Sequence, residues 1–368
     1  MTPAATIALG LLLALLLVAL ATWGHLVYWT RRLRNSDVLP YDELESLPTP
    51  DGGRIELRRL HAQGEPVGPP LLLVHGLAFN HRNFDIHPDW SLPRWFAARG
   101  RDVWLLTLRS GQPSPSFEAP ISFAAMVDHD LPTAVDAVLA RAGATHLDYI
   151  GFSMGGMLLY AALGRSVPTD RVRKAVIMGS PAKIGIPVWP FSLTPWVPRW
   201  FVPRLYLRQG ARLIAFGSEW FKTPFHRIPF NPDNVDRGVV GGMLVDGVQD
   251  VPRALNQDFV GWALADGELR VRGERALDGL VHISVPVLFC AGQADQLAPP
   301  RSVRYAFDSW GSGVTGVTVD KRWLLLARSA GAGHDYGHGD MLMARRAVQD
   351  VFEPISVFIG VRTLLTEG

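Results

Sequence analysis

From Thr2 to Thr30 the chain has no Lys, Arg, Asp or Glu, and Ile7–Val27 is almost wholly apolar. A helix rises about 1.5 Å per residue, so this run is long enough to cross a hydrocarbon core of about 30 Å. Trp23, Tyr28 and Trp29 close the run, where amphipathic rings favour the membrane–water interface. Residues 1–30 therefore read as a transmembrane helix or signal-anchor. The rival expectation is a cleaved signal peptide and a secreted product, because Ala19-Leu20-Ala21 has the small-x-small form of a cleavage site. Against cleavage, no Lys or Arg precedes the apolar run, and the run continues past that site. Arg31, Arg32 and Arg34 follow directly, so the positive-inside rule sets the bulk of the chain on the cytoplasmic side.

Residues 31–50 are polar and punctuated by Pro40, Pro48 and Pro50, the pattern of a juxtamembrane linker. After the turn signal Asp51-Gly52-Gly53, short apolar runs alternate with helical patterns across a domain expected over 51–368. Strands are predicted over Arg54–Leu60, Leu71–Val74, Val103–Leu108, Leu147–Gly151, Lys174–Met178, Val285–Cys290 and Trp323–Ala327. Helices are predicted near Leu92–Ala98, Phe123–Ala142, Met154–Leu163, Pro300–Ser309 and Leu342–Leu365. This alternation points to βαβ units around a mostly parallel sheet. Leu71–Val74 and Val287–Cys290 are apolar throughout, as strands buried on both faces are. Between about 182 and 282 the alternation stops: prolines, then Arg- and aromatic-rich helical segments, read as a helical cap inserted between two strands.

Hydrophobic residues make up 48% and charged residues 19% of the 368 positions, enough apolar material for a sizeable core. A net charge of +2 supplies no electrostatic reason to expect nucleic acid. The lone Cys290, set in an apolar strand, excludes an intramolecular disulfide and reads as a small buried hydrophobe.

Chemistry enters at Gly151-Phe152-Ser153-Met154-Gly155, a G-x-S-x-G between an apolar strand and an apolar helix. A nucleophile on such a sharp turn needs small neighbours so that strand and helix can approach. The turn exposes the hydroxyl at the carboxyl end of the sheet, where open α/β sheets bind ligands. The first N–H groups of the following helix lack intrahelical acceptors and can stabilise a developing oxyanion. Ser153 is thus the candidate nucleophile, against the alternative of a structural turn. A second segment, Leu71 to Ala78, runs a buried strand straight into His75-Gly76.

Together these segments resemble the α/β-hydrolase superfamily, with partial similarity to its acid-lipase branch. Thr49–Leu57, His75-Gly76-Leu77 and Ala97–Trp104 through Arg109-Ser110-Gly111 carry the latter similarity, which covers roughly residues 49 to 365 outside the cap. The chain departs at Phe152, where that branch usually has His, and at Gly156. The resemblance implies the α/β-hydrolase fold, with a mostly parallel central sheet flanked by helices. It implies an oxyanion hole built from the N–H groups of Leu77 and Met154, with His75 shaping the loop. The triad order Ser, Asp, His makes Asp295, in the loop after Val287–Cys290, the expected acid. The base lies in Gly331–Leu342, where His334 and His338 compete; Asp340 there reads as a helix N-cap. A Gly-His-x-Asp before the last helix is common in the family, which favours His338 and leaves His334 as the alternate. Ser at 153 argues against a haloalkane dehalogenase, built with Asp there, and against polyhydroxyalkanoate synthases, built with Cys.

The expected activity is cleavage of carboxylic esters of a lipophilic substrate through an acyl-enzyme. An acyltransferase with the same triad and a non-catalytic anchored binding protein are the alternatives. No metal or organic cofactor is implied, because no His/Cys cluster has ligand spacing and the Gly-rich turn belongs to the serine. Trp196–Arg208, extended by Phe216, Trp220 and Phe221, interleaves aromatics with arginines. It reads either as a surface lying on an anionic membrane or as an acyl-pocket lining with its arginines in water.

Overall fold

The computed structural model describes residues 2–34, 40–112, 119–185, 202–219 and 227–360. The strands are β1 (Glu43–Pro48), β2 (Arg54–Leu60), β3 (Leu71–Val74), β4 (Val103–Thr107), β5 (Leu147–Phe152), β6 (Val172–Met178), the hairpin pair β7 (Arg270–Val271) and β8 (Glu274–Arg275), β9 (Val287–Gly292) and β10 (Lys321–Leu326). All except β7 and β8 join one sheet in the order β1-β2-β4-β3-β5-β6-β9-β10. From β4 to β10 neighbouring strands are parallel, while β2 runs antiparallel to both β1 and β4. This is the α/β-hydrolase fold.

The helices are α1 (Pro3–Leu33), α2 (Leu92–Ala97), α3 (Phe123–Ala125), α4 (Leu131–Ala142), α5 (Met154–Ala162), α6 (Leu207–Ile214), α7 (Arg237–Gly242), α8 (Arg253–Leu264), α9 (Ala276–Leu280), α10 (Pro300–Ser309), α11 (Asp340–Met343) and α12 (Glu353–Ile359). On one face of the sheet, α4, α5, α9 and α10 pack over β-strand side chains such as Leu72, Tyr149, Ile177 and Phe289. On the other, α2, α11 and α12 cover Leu71, Leu73, Ile150 and Val176. Every side chain of β3, β5 and β9 is buried. Each fully buried large aliphatic contributes about 1.5–3 kcal/mol, so burial holds these strands firmly.

Several boundaries differ from the expectations. The region 31–50 is not a linker throughout. Arg31, Arg32 and Leu33 continue α1, because arginine and leucine favour helix and no breaker intervenes. Glu43–Pro48 forms edge strand β1, paired from Glu43↔Arg59 to Pro48↔Arg54. Its polar ELESLP sequence carries little strand signal, and an edge position tolerates the proline. The helix expected over Phe123–Ala142 contains a wide π turn at Met126–Asp130, just before Pro132, which has no N–H to donate. The terminal helix breaks after Met343, where Ala344 is extended, and resumes through Val348–Phe352 into α12, ending at left-handed Gly360. Residues 361–365 of the expectation lie outside the described residues.

The insertion after β6 is mostly helical, with α6–α9 and the small β7–β8 hairpin, where no strand was expected. Trp196–Phe201, Trp220 and Phe221 lie outside the described residues. The described part is stitched to the sheet-end loops. Gln249 N–H donates to Ala78 O at 2.8 Å, and Asn80 N–H to Gly247 O at 3.2 Å. The last turns of α1 also rest on it. His25 Nε2 lies 3.2 Å from Leu213 O, and the His25 ring meets Phe216 edge-on at 4.9 Å. Leu33 is buried with Ala215 and Val245.

Candidate active site

The strand order reverses direction between β3 and β5: the chain leaves β3 for β4 on one side, then crosses back to β5 on the other. The crevice at the carboxyl ends of two such strands is where open α/β sheets bind ligands. The loop after β3 begins with His75-Gly76, and Ser153 follows β5.

Ser153 has φ 52° and ψ −117°, a conformation that non-glycine residues rarely adopt. Strain of this kind costs about 1–3 kcal/mol and persists only where the surroundings enforce it. Here Ser153 N–H donates to Met178 O at 2.8 Å, and Ser153 O accepts from Gly156 N–H at 3.0 Å and Met157 N–H at 3.2 Å. Close approach of strand and helix does the rest. A Cβ added to Gly151 would lie 2.6 Å from the Gly156 nitrogen, and one added to Gly155 would overlap the Val74 carbonyl oxygen. A Cβ on Gly156 would overlap Ser180 Oγ. The departure at Gly156 thus has a packing reason.

Asp295 follows β9 and is buried; its Oδ1 accepts from Leu297 N–H at 2.9 Å and Ala298 N–H at 2.7 Å. Its Oδ2 lies 2.7 Å from His338 Nδ1. With both backbone donors on one oxygen, the other is left for the imidazole. That contact places the proton on Nδ1 and leaves Nε2 as the acceptor. His338 is itself 7% exposed and packs against Phe152, ring centroids 4.8 Å apart. Gly179, at φ 53°, passes beside it: a Cβ there would sit 3.2 Å from Nδ1. The structure thus brings Asp295 and His338 together, and Ser153 directly follows Phe152, whose ring packs on His338, at the end of β5, with β6 lying between β5 and β9. Among the described residues the Ser153 hydroxyl makes no hydrogen bond. Catalytic hydrogen bonds are often long or unformed without substrate and tighten once it binds. His334 stands apart, half-buried, with its Nδ1 3.1 Å from Arg328 Nη2.

The N–H groups of Leu77 and Met154 have no acceptor among the described residues. Met154 opens α5, where no intrahelical partner exists, and Leu77 is fixed by its neighbours. Gly76 N–H donates to Asn83 Oδ1 at 3.1 Å. His75 Nδ1 contacts Gly76 O at 2.8 Å, while its Nε2 accepts from Leu108 N–H at 3.1 Å. Complete burial pushes the His75 pKa down to about 4, so the ring is neutral and shapes the loop.

Asp340 is not the helix N-cap; it is the first residue of α11, directly after the N-cap Gly339. Its carboxylate accepts from Gly337 N–H at 3.0 Å, Asn231 N–H at 3.0 Å and Asn234 Nδ2 at 2.6 Å. It thereby ties the His338 loop to the insertion. Burial pushes its pKa up to about 6, against the pull of those three donors. The Asn231-Pro232-Asp233-Asn234 turn signalled a bend in the sequence, and nothing local disclosed its partner over 100 positions away.

A family model described as alpha/beta hydrolase fold matches residues 69–322. Gastric triacylglycerol lipase from Bos taurus is 31% identical over 140 residues, covering 34% of this chain and 35% of its own. A poly(3-hydroxyalkanoate) polymerase subunit from Haloferax mediterranei is 24% identical over 277 residues, covering 67% of this chain and 53% of its own. The chain thus spans about a third to a half of the length of these curated relatives. Among solved structures, a thermophilic esterase from Thermogutta terrifontis superimposes with a TM-score of 0.54 at 17% identity, covering 86% of this chain and 98% of its own. An esterase from a Rhodococcus species gives 0.56 at 17%, covering 87% and 99%. At such identities these structures speak to the fold alone.

Proposed function

The chain belongs to the α/β-hydrolase fold family, and from that premise we propose that it is a serine hydrolase cleaving carboxylic esters of a lipophilic substrate at a membrane. The observation that carries the reading is the 2.7 Å contact between His338 Nδ1 and Asp295 Oδ2, beside a serine held in a strained elbow. Ser153 Oγ attacks the acyl carbonyl carbon as His338 Nε2 takes its proton. Asp295 keeps Nδ1 protonated and stabilises the imidazolium that results. The carbonyl oxygen gathers negative charge facing the N–H groups of Leu77 and Met154. Collapse expels the alcohol, protonated by His338. Water then attacks the acyl-enzyme with His338 again as base, releasing the acid and restoring Ser153. His334 has no part in this sequence.

The lipophilic substrate and the membrane setting rest on α1. Its outer two-thirds is apolar and exposed, a surface that hydrocarbon suits better than water. We read α1 as a retained anchor with the catalytic domain on the cytoplasmic side, and the insertion as a cap. The docked residues His25–Arg34 all follow Ala21, so the mass of the mature N-terminus, rather than the docking, distinguishes retention from cleavage.

The test is hydrolysis of p-nitrophenyl esters of increasing chain length by the full chain in detergent micelles. Ser153→Ala and His338→Ala should each lower kcat/KM by about 10³-fold or more, and His334→Ala by far less. Wild-type activity in Ser153→Ala, or equal losses in the two histidine variants, would sink the assignment. The match to a polymerase subunit favours a second reading, acyl transfer to an alcohol. An added alcohol acceptor that captures the acyl group in preference to water would select it.

A further inference from the structure

At the junction of anchor and cap, a groove of ≈ 290 Å³ runs between α1 and α6, lined by Trp23, Leu26, Val27, Thr30, Arg31, Arg34, Gln209 and Arg212. Its composition changes along the α1 axis. Leu26 and Val27 form an apolar wall at the end continuous with the membrane-length run, and the arginines gather about one to two turns further on. Trp23, Tyr28 and Trp29 mark the interface at this level. On the cap side, α6 presents exposed apolar side chains, Leu207, Leu213 and Ile214, preceded by Tyr206. They alternate with arginines, the pattern of a helix lying in a membrane surface.

The charge of the groove is unbalanced. Arg34 Nε meets Asp246 Oδ1 at 3.3 Å. Among the described residues neither Arg31 nor Arg212 forms an ion pair. Arg212 Nε donates to the Val245 carbonyl at 3.1 Å. Burial weighs most against the Arg212 charge, and Arg208 and Arg34 beside it add repulsion, with Asp246 opposing them. An anion in the groove would relieve this repulsion.

We propose that the α1–α6 groove binds an anionic phospholipid, with the headgroup phosphate between Arg31, Arg34 and Arg212, Thr30 and Gln209 as polar partners, and the acyl chains along Leu26 and Val27. A lipid is the occupant, rather than a soluble phosphate, because the groove is cationic at one end and apolar at the other, in the order of a bilayer leaflet. Arginine suits a phosphate group through its planar fork of donors. The inference rests on α1 being a retained membrane anchor. It adds a lipid contact that would hold the cap at a fixed depth and angle over the sheet-end loops. Asp246, which pairs with Arg34, also touches those loops directly, since its backbone carbonyl accepts from Asn80 Nδ2 at 2.9 Å.

The experiment uses the full chain reconstituted in phosphatidylcholine vesicles. A sodium carbonate wash first separates integral from peripheral protein. Tryptophan fluorescence is then quenched with brominated phosphatidylglycerol or brominated phosphatidylcholine at equal mole fraction. We expect stronger quenching by phosphatidylglycerol, with the excess lost in Trp23→Phe. In Arg31→Gln/Arg34→Gln the preference should fall on the order of tenfold, each interfacial arginine acting on anionic lipid. Arg212→Gln should act in the same direction; p-nitrophenyl acetate hydrolysis reports whether each variant is folded. Equal quenching by the two lipids, in protein that survives the wash, overturns the lipid site and leaves the anchor standing. Loss of the protein in the wash overturns both. Excess quenching abolished by millimolar glycerol phosphate overturns the lipid in favour of a soluble anion.

Discussion

The carboxyl edge of the sheet and the α1–α6 junction both gather polar side chains around an apolar framework, yet they are held in different ways. At the sheet edge the polar groups are fixed by backbone. Asp295 takes two backbone N–H groups before it meets His338, Gly76 is held by Asn83, and Ser153 is bent by three main-chain hydrogen bonds. At the junction the described contacts of α1 are made by its side chains: His25 against Phe216, Arg34 against Asp246, Leu33 over Gly241. The first region is over-determined, so it can store strain at Ser153. Among the described residues, the second leaves apolar side chains of α1 and α6 exposed and Arg31 and Arg212 without an ion pair.

That contrast makes graded predictions. The largest effect belongs to the sheet edge. Asp295→Asn should retain the fold and lower kcat by about 10⁴-fold, because the amide no longer demands a proton on His338 Nδ1. A loss below tenfold in steady-state ester hydrolysis would detach Asp295 from the chemistry. Next comes packing: in Gly155→Ala the new methyl overlaps the Val74 carbonyl oxygen, and we expect a loss of about 3 kcal/mol or more in urea unfolding.

Asp340 gives a smaller, pH-dependent signal. Its folded pKa, about 6, is above the unfolded value, so its stabilising contribution is complete below about pH 4 and lost as pH rises through 6. The stability deficit of Asp340→Asn, followed by thermal melting, should therefore shrink by at most about 3 kcal/mol between pH 4 and 7. A constant deficit would mean an ordinary carboxyl there. The smallest effect has the opposite sign. Gly210 lies within α6 with nothing near its missing Cβ, so Gly210→Ala should stabilise by about 0.5–1 kcal/mol. Destabilisation at Gly210 as large as at Gly155 would erase the contrast between the two regions.

Much of this architecture was legible along the chain because its causes are local. Continuous apolar runs marked β3 and β9, and the Gly151-Phe152-Ser153-Met154-Gly155 turn announced its own strand and helix. The charge-free first thirty residues announced α1, although its end at Leu33 did not show, since nothing there breaks a helix. Edge strand β1 escaped notice because an exposed strand has no apolar alternation to show. The choice between His334 and His338 was open to residue reading; spacing alone gave both the same standing, and only a family pattern separated them.

What the amino-acid sequence by itself determined is therefore the α/β framework, the sharp G-x-S-x-G turn and a membrane-length helix, each written in neighbouring residues by periodicity and turn chemistry. What the tertiary structure alone decided is which distant groups meet: Asp295 with His338, Asp340 with Asn231 and Asn234, and Arg34 with Asp246. Those pairs depend on how sheet, insertion and α1 close upon one another. The free energy that chooses them comes from burying whole faces, which no local pattern records.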